Sequence, residues 1–266
     1  MKRVAWMTDV HLNFARPPIL KDFYRRVRDA APDIVLVSGD IAEATDVCDY
    51  LEQLERELAV PIYFVLGNHD YYFGSIQQVR DAIDRLCRRQ PSLVYLTHAG
   101  PVELLPNVGL VGHDGWADAR IGDYERSMVL MNDYRVIEDL AGLDKRQRWA
   151  KLKQLADAAA DRIREILPPA LDRYEYVYFL THIPPFREAC WYDGQISDDE
   201  WAPHFTSKAM GDVLLDTMRN FPQRHLTVLC GHTHGVGEAR LADNLRVLTG
   251  GAEYGFPTIT RLFTLC

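Results

Sequence analysis

Residues 62–70 read IYFVLGNHD, an apolar, β-prone run that stops abruptly at Gly67-Asn68-His69-Asp70. Such a run suits a strand covered on both faces, and the polar cluster falls where that strand must end. The same pattern recurs upstream, where Val4–Thr8 leads into Asp9-Val10-His11 and Ile34–Ser38 leads into Gly39-Asp40. Behind Pro17-Pro18, which suit a first helical turn, Leu20, Phe23, Tyr24 and Val27 share one helical face, and a second helix separates the next two runs. The order is βαβαβ, which predicts parallel strands with helices between them.

Further along, the spacing predicts a helix over Ile76–Leu86 and closely spaced strands at Leu93–Leu96, Val102–Leu105 and Gly109–Gly112, joined by Ala99-Gly100-Pro101 and Pro106-Asn107. The pattern weakens from Trp116 to Gly142, read as an insertion. A long helix follows over Lys145–Leu167, expected to end at Pro168-Pro169. Tyr176–Leu180 is another buried strand, Ile183–Ser207 has no clear period, and a helix at Met210–Met218 precedes strands at Leu226–Cys230, Leu245–Thr249 and Thr258–Leu262. One domain over residues 1–266 is expected, with the aperiodic stretches at about 116–142 and 183–207 folding as a cap.

Composition narrows the function classes. The 266 residues are 47% hydrophobic and 26% charged, which is ordinary for a globular chain, with a net charge of −8. That balance argues against holding nucleic acid on a broad basic face. The five cysteines show no metal-site spacing, and no apolar run approaches the roughly 20 residues of a membrane span. A cytoplasmic protein with free thiols, acting without a membrane, is the expectation.

The chemistry sits at the strand ends. Besides the three clusters above, His182 follows Tyr176–Leu180, and Gly231-His232-Thr233-His234 follows Leu226–Cys230. Ligands of open α/β sheets bind beyond the carboxyl ends of strands, so five distant segments can converge on one point. Each motif alone has an ordinary explanation as a turn or helix cap. Their shared placement is what points to a site. Two carboxylates, one amide oxygen and four imidazoles exceed what one tetrahedral ion needs and fit two adjacent divalent ions, of Mn, Fe or Zn type because no thiolate takes part. Such a pair can activate a bridging water and hold both oxygens of an in-line displacement at phosphorus.

The order Asp9-x-His11, Gly39-Asp40-x-x-Glu43, Gly67-Asn68-His69-Asp70, His182 and Gly231-His232-x-His234 resembles the calcineurin-like metallophosphoesterase superfamily over nearly the whole chain. The resemblance implies an α/β fold, a four-layer αββα sandwich of mixed sheets. It also implies Asp9, His11, Asp40 and His234 on one metal, Asp40, Asn68, His182 and His232 on the other, and Asp40 as the bridge. His69 is outside that ligand set and is expected to protonate the leaving oxygen or stabilise phosphoryl charge, with Asp70 accepting from its other ring nitrogen. Glu43 stays outside the metal set. The expected substrate is a small phosphorylated molecule, monoester or diester. A nuclease and a metal-binding scaffold without catalysis are the alternatives. Candidates for substrate contact are His113, Asp114 and Trp191, with Trp191 or Trp201 closing a wall. Surface positions are expected for His98, His204 and His225.

Overall fold

The computed structural model describes residues 1–266. In chain order the strands are β1 (Lys2–Met7), β2 (Ile34–Ser38), β3 (Ile62–Val65), β4 (Leu93–Tyr95), β5 (Val102–Leu105), β6 (Val108–Gly112), β7 (Tyr176–Leu180), β8 (Trp191–Tyr192), β9 (Gln195–Ile196), β10 (His225–Cys230), β11 (Gly237–Ala242), β12 (Leu245–Thr249) and β13 (Arg261–Leu265). The α-helices are α1 (Pro17–Asp29), α2 (Val47–Leu58), α3 (Ile76–Arg89), α4 (Asp133–Val136), α5 (Lys145–Arg173), α6 (Ala202–Phe205) and α7 (Lys208–Asn220).

Strands β13-β1-β2-β3-β4 form one sheet and β11-β12-β10-β7-β6-β5 the other. Within the first, β1 to β4 run parallel and β13 antiparallel; in the second, β12, β10, β7 and β6 are parallel between antiparallel edges. Alternation along β1 and β2 explains the layering. Val4, Trp6, Ile34 and Leu36 face Leu110, Leu180 and Leu229 of the other sheet, whereas Ala5, Met7, Val35 and Val37 face α1, α2 and α3. Helices α5 and α7 cover the far side of the second sheet through Ile163, Leu167, Val213 and Leu214. The result is an αββα sandwich of two mixed sheets. No helix is long and apolar enough to cross a membrane.

Three expectations change. Helix α5 does not stop at Pro168-Pro169 but continues to Arg173, closing with Tyr174 N–H donating to Ala170 O at 2.9 Å. The missing proline donors leave the carbonyls of Arg164 and Glu165 unpaired within the helix, but those residues are exposed, while Ile166, Leu167, Ala170 and Leu171 keep the last turns buried. The final strand lies at Arg261–Leu265, not Thr258–Leu262. Strand β1 ends at Met7, so pairing begins only where Thr260 N–H reaches Trp6 O and Arg261 stands opposite Trp6. Edge strand β11 went unread because only Ala239 of its six residues is buried, so no apolar alternation marks it.

Candidate metal centre

The carboxyl ends of β1, β2, β3, β7 and β10 open onto one edge, and the loops there run in register. Asp9 N–H donates to Gly39 O (3.0 Å), His11 N–H to Asp40 O (3.0 Å) and Gly231 N–H to His182 O (3.0 Å). These turns are sharp: Asp9, His11, Asp40, His232 and His234 all have positive φ, between 39° and 72°. That conformation is costly for residues with a Cβ and clusters where side chains are held for function. Glycine is required beside them, because a Cβ on Gly67 would lie 2.1 Å from Asp40 Oδ1 and one on Gly231 2.0 Å from Asp9 Oδ2.

One ligand atom each from Asp9, His11, Asp40 and His234 lies within 4.8 Å of the others. His11 Nε2 stands 3.2 Å from His234 Nε2 and 3.6 Å from Asp40 Oδ2, and His234 Nε2 is 3.4 Å from Asp9 Oδ1. Donors sharing an ion through bonds of about 2.0–2.2 Å stand roughly 3–3.5 Å apart, so this spacing fits one ion. A second group adjoins it. Asn68 Oδ1 lies 3.0 Å from His182 Nε2 and 2.9 Å from His232 Nδ1, and His182 Nε2 is 3.4 Å from Asp40 Oδ1. Asp40 therefore offers one oxygen to each group.

Partners behind the ligands fix their orientation. His182 Nδ1 lies 2.9 Å from Ser38 O, and His232 Nε2 lies 3.2 Å from His204 O; a carbonyl only accepts, so each of those nitrogens carries an N–H, and the other ring nitrogens, His182 Nε2 and His232 Nδ1, face the centre. Asp9 accepts from Thr8 Oγ1 (2.6 Å) and from His232 N–H (3.0 Å). Burial pushes His11 and His232 down to about 4, which leaves both neutral and able to ligate at pH 7. Asp40 is buried too, which alone would raise it, but His182 and His69 beside it hold the carboxyl well below its usual range. In His182 burial is outweighed by Asp40, which carries it up to about 10. His11 Nδ1 is buried without a protein partner. The donor set and its spacing fit metal.

His69 sits outside the ligand set, its ring stacked on Tyr72 at 4.2 Å and its Nε2 3.3 Å from the Tyr254 hydroxyl. Asp70 does not pair with it. The Asp70 carboxylate is fully buried and accepts from Ile41 N–H (2.9 Å), Ala42 N–H (2.9 Å) and Gly67 N–H (2.8 Å), so it ties the loop after β2 to the loop after β3. It is a positioning group. His69 Nδ1 is left buried without a partner.

Two substrate-contact candidates are corrected. His113 is buried, its Nδ1 accepting from Gly115 N–H at 3.0 Å. Asp114 lies behind the centre and accepts from Leu66 N–H, Thr97 Oγ1 and Tyr71 Oη (each 2.7 Å), Tyr95 Oη (2.5 Å) and Arg80 (2.9 Å). A turn dipeptide after a strand gives no sign of five donors arriving from elsewhere. Burial alone would raise the Asp114 carboxyl, but the Arg80 guanidinium holds it down from 3.8 to about 2. Asp114→Ala should then cost about 3–5 kcal/mol, because it strands a buried cation, and lower Tm by on the order of 10 °C, read by calorimetry. The depressed carboxyl also sets a pH window. Its contribution, about 2 kcal/mol, is complete above 3.8 and lost as pH falls toward about 2, so the wild type should destabilise there more steeply than Asp114→Asn.

Trp191 packs its indole against Gly237 of β11, so it braces the sheet edge. Trp201, not Trp191, lines the cleft beside His69. The two aperiodic stretches interlock next to the centre: His204 is buried with Nε2 2.9 Å from Ser127 Oγ and Nδ1 2.6 Å from Tyr134 Oη, against the surface position expected for it. His98 and His225 are exposed. Sequence reasoning missed Asp133, which accepts from Asn68 Nδ2 (2.9 Å) and Tyr72 Oη (2.7 Å) and so turns the Asn68 oxygen toward His182 and His232. It also missed Tyr254, whose ring lies 4.5 Å from that of His11 and 4.8 Å from that of His234. Neither carried a signal, since Asp133 is one charge among many in its segment and Tyr254 belongs to no motif.

Residues 2–236 match the family model described as calcineurin-like phosphoesterase. A stretch of 82 residues is 34% identical to a UDP-2,3-diacylglucosamine hydrolase of Stenotrophomonas maltophilia (strain K279a), covering 26% of this chain and about a third (33%) of that one. Among solved structures, the chain is similar to a phosphopantetheinyl hydrolase of Mycobacterium tuberculosis, with TM-score 0.66, 17% identity and coverage of 95% of this chain and 89% of that one. It is also similar to a dimetal phosphatase of Danio rerio, with TM-score 0.53, 17% identity and coverage of 94% and 87%. At such identity the two structures establish the fold alone.

Proposed function

The chain belongs to the calcineurin-like phosphoesterase family, whose members are phosphohydrolases, and we propose that it hydrolyses a phosphate ester with two divalent transition-metal ions of Mn, Fe or Zn type. The observation that carries this reading is the position of Asp40, with Oδ2 3.6 Å from His11 Nε2 and Oδ1 3.4 Å from His182 Nε2. One carboxylate facing two ligand groups is what a pair of adjacent ions needs. Asp9, His11, Asp40 and His234 would hold one ion, and Asp40, Asn68, His182 and His232 the other. When bound, the ions supply an activated water and neutralise charge on the phosphoryl oxygens.

The protein's own part lies in orientation and proton transfer. Asp133 fixes the Asn68 amide, and the carbonyls of Ser38 and His204 fix the two imidazoles. His69, next to the ligands but not among them, has Nε2 within reach of Tyr254 Oη and would pass a proton to the leaving oxygen. Protein dialysed against chelator and reloaded with Mn²⁺ should release nitrophenol from 4-nitrophenyl phosphate or bis(4-nitrophenyl) phosphate, and the chelated protein should not. Full metal content with no release from either ester would leave a binding scaffold in place of an enzyme.

A further inference from the structure

His69 stands at the junction of two open clefts, and their shapes bear on what the site hydrolyses. This step rests on the phosphoesterase reading above and names the substrate class for it. One cleft, of about 520 Å³, is lined by Met128–Met131, Trp201 and Tyr254; its one charged lining residue is Glu200. The second, of about 430 Å³, is lined by Phe14 and Phe73 together with Glu43 and Arg135. His69, Tyr72 and Asn132 line both. Each volume falls in the range of small-molecule sites, roughly 300–1,000 Å³.

The first wall is mostly apolar, and the second mixes apolar with polar side chains. Met128 is 85% exposed, Leu130 60%, Phe73 59% and Phe14 48%, so four large apolar side chains stand in water along these two clefts. Exposed apolar surface beside a polar centre marks a site that takes an apolar group. A phosphomonoester has one organic group and fills one cleft; the other would stay in water.

We propose that the substrate is a phosphodiester, with phosphorus at the metal edge beside His69, an apolar ester group lying along Met128–Met131 against Trp201 and Tyr254, and the second ester group between Phe14 and Phe73. In the reaction, water adds its oxygen to phosphorus and one P–O ester bond breaks. The departing oxygen receives a proton by way of His69, and the products are a phosphomonoester and an alcohol.

The test uses Mn²⁺-loaded enzyme and three esters: 4-nitrophenyl phosphate, methyl 4-nitrophenyl phosphate and hexyl 4-nitrophenyl phosphate. The methyl diester should exceed the monoester in kcat/KM by about tenfold or more. The hexyl diester should exceed the methyl diester by at least another tenfold, mainly through KM, since burying a methylene is worth roughly a few-fold in affinity. The double substitution Met128→Ser, Leu130→Ser, at two exposed positions where folding is not at stake, should cut the hexyl-to-methyl ratio below about threefold. A monoester preference, or a hexyl-to-methyl ratio near one in the unmodified enzyme, overturns the diester assignment and leaves the phosphoesterase reading standing. If the metal-loaded enzyme turns over none of the three, both fall together.

Discussion

Asp40→Ala protein, taken through the same metal loading as the wild type, should retain neither ion, whereas His234→Ala should lose only one. The difference follows from geometry: Asp40 presents one oxygen toward His11 and the other toward His182, while the ligand group of His234 is Asp9, His11 and Asp40. Activity should fall by at least about 10³-fold, since the ions carry several kcal/mol of charge stabilisation and each 1.36 kcal/mol is a factor of ten. Asp40 Oδ1 also accepts from His69 N–H at 2.9 Å, so alanine removes a loop contact along with the ligand. Asp40→Asn keeps the shape and an acceptor but removes the charge. Elemental analysis of both variants decides the matter: an Asp40→Ala protein that still holds two ions would show that Asp40 does not serve both groups.

His69→Gln should do the opposite, keeping its metals and losing turnover. Because His69 touches none of the paired ligand atoms through its own ring nitrogens, its removal leaves the donor set intact, and kcat should drop by about 10²–10⁴-fold for alkyl esters. Esters of nitrophenol, whose oxygen leaves without help, should lose much less. That contrast separates proton donation from charge stabilisation at phosphorus, which would depress both ester types alike. Metal content measured beside kcat guards against a site that has merely emptied.

The residues at the strand ends were legible because parallel strands share a carboxyl edge. Once 4–8, 34–38 and 62–65 are read as neighbours, Asp9, Asp40 and Asn68 must lie together, and the structure brings His182 and His232 to the same place from the second sheet. What lies behind them was not legible, for a physical reason. Asp133 and His204 sit in aperiodic segments whose paths are set by docking against each other, and no local period encodes that. Asp114 was misread because its five donors come from residues 66 to 97, a relation only tertiary packing creates. Asp70 was misread as a partner of its neighbour His69, although chain adjacency there leads to a turn and turns the carboxylate onto backbone N–H groups. The strands themselves were legible wherever they are buried on both faces, and β11, buried on one residue, was not.

The two ligand groups also have a mechanical meaning. Each draws on both sheets: Asp9, His11, Asp40 and Asn68 hang from the first, and His182, His232 and His234 from the second. Apart from the apolar layer between the sheets, the edge is closed by contacts such as His11 to His234, 223 residues apart. An ion bound there would be a rivet through two leaves already stitched at that edge by buried hydrogen bonds such as His182 Nδ1 to Ser38 O and Leu66 N–H to Asp114. Its grip is strongest against the slow separation of the leaves, so metal would lengthen the lifetime of the folded state in addition to shifting its equilibrium. The backbone cost of five left-handed ligand residues then has a counterpart, because the turns that strain the separate loops are the ones that let a single pin hold both halves.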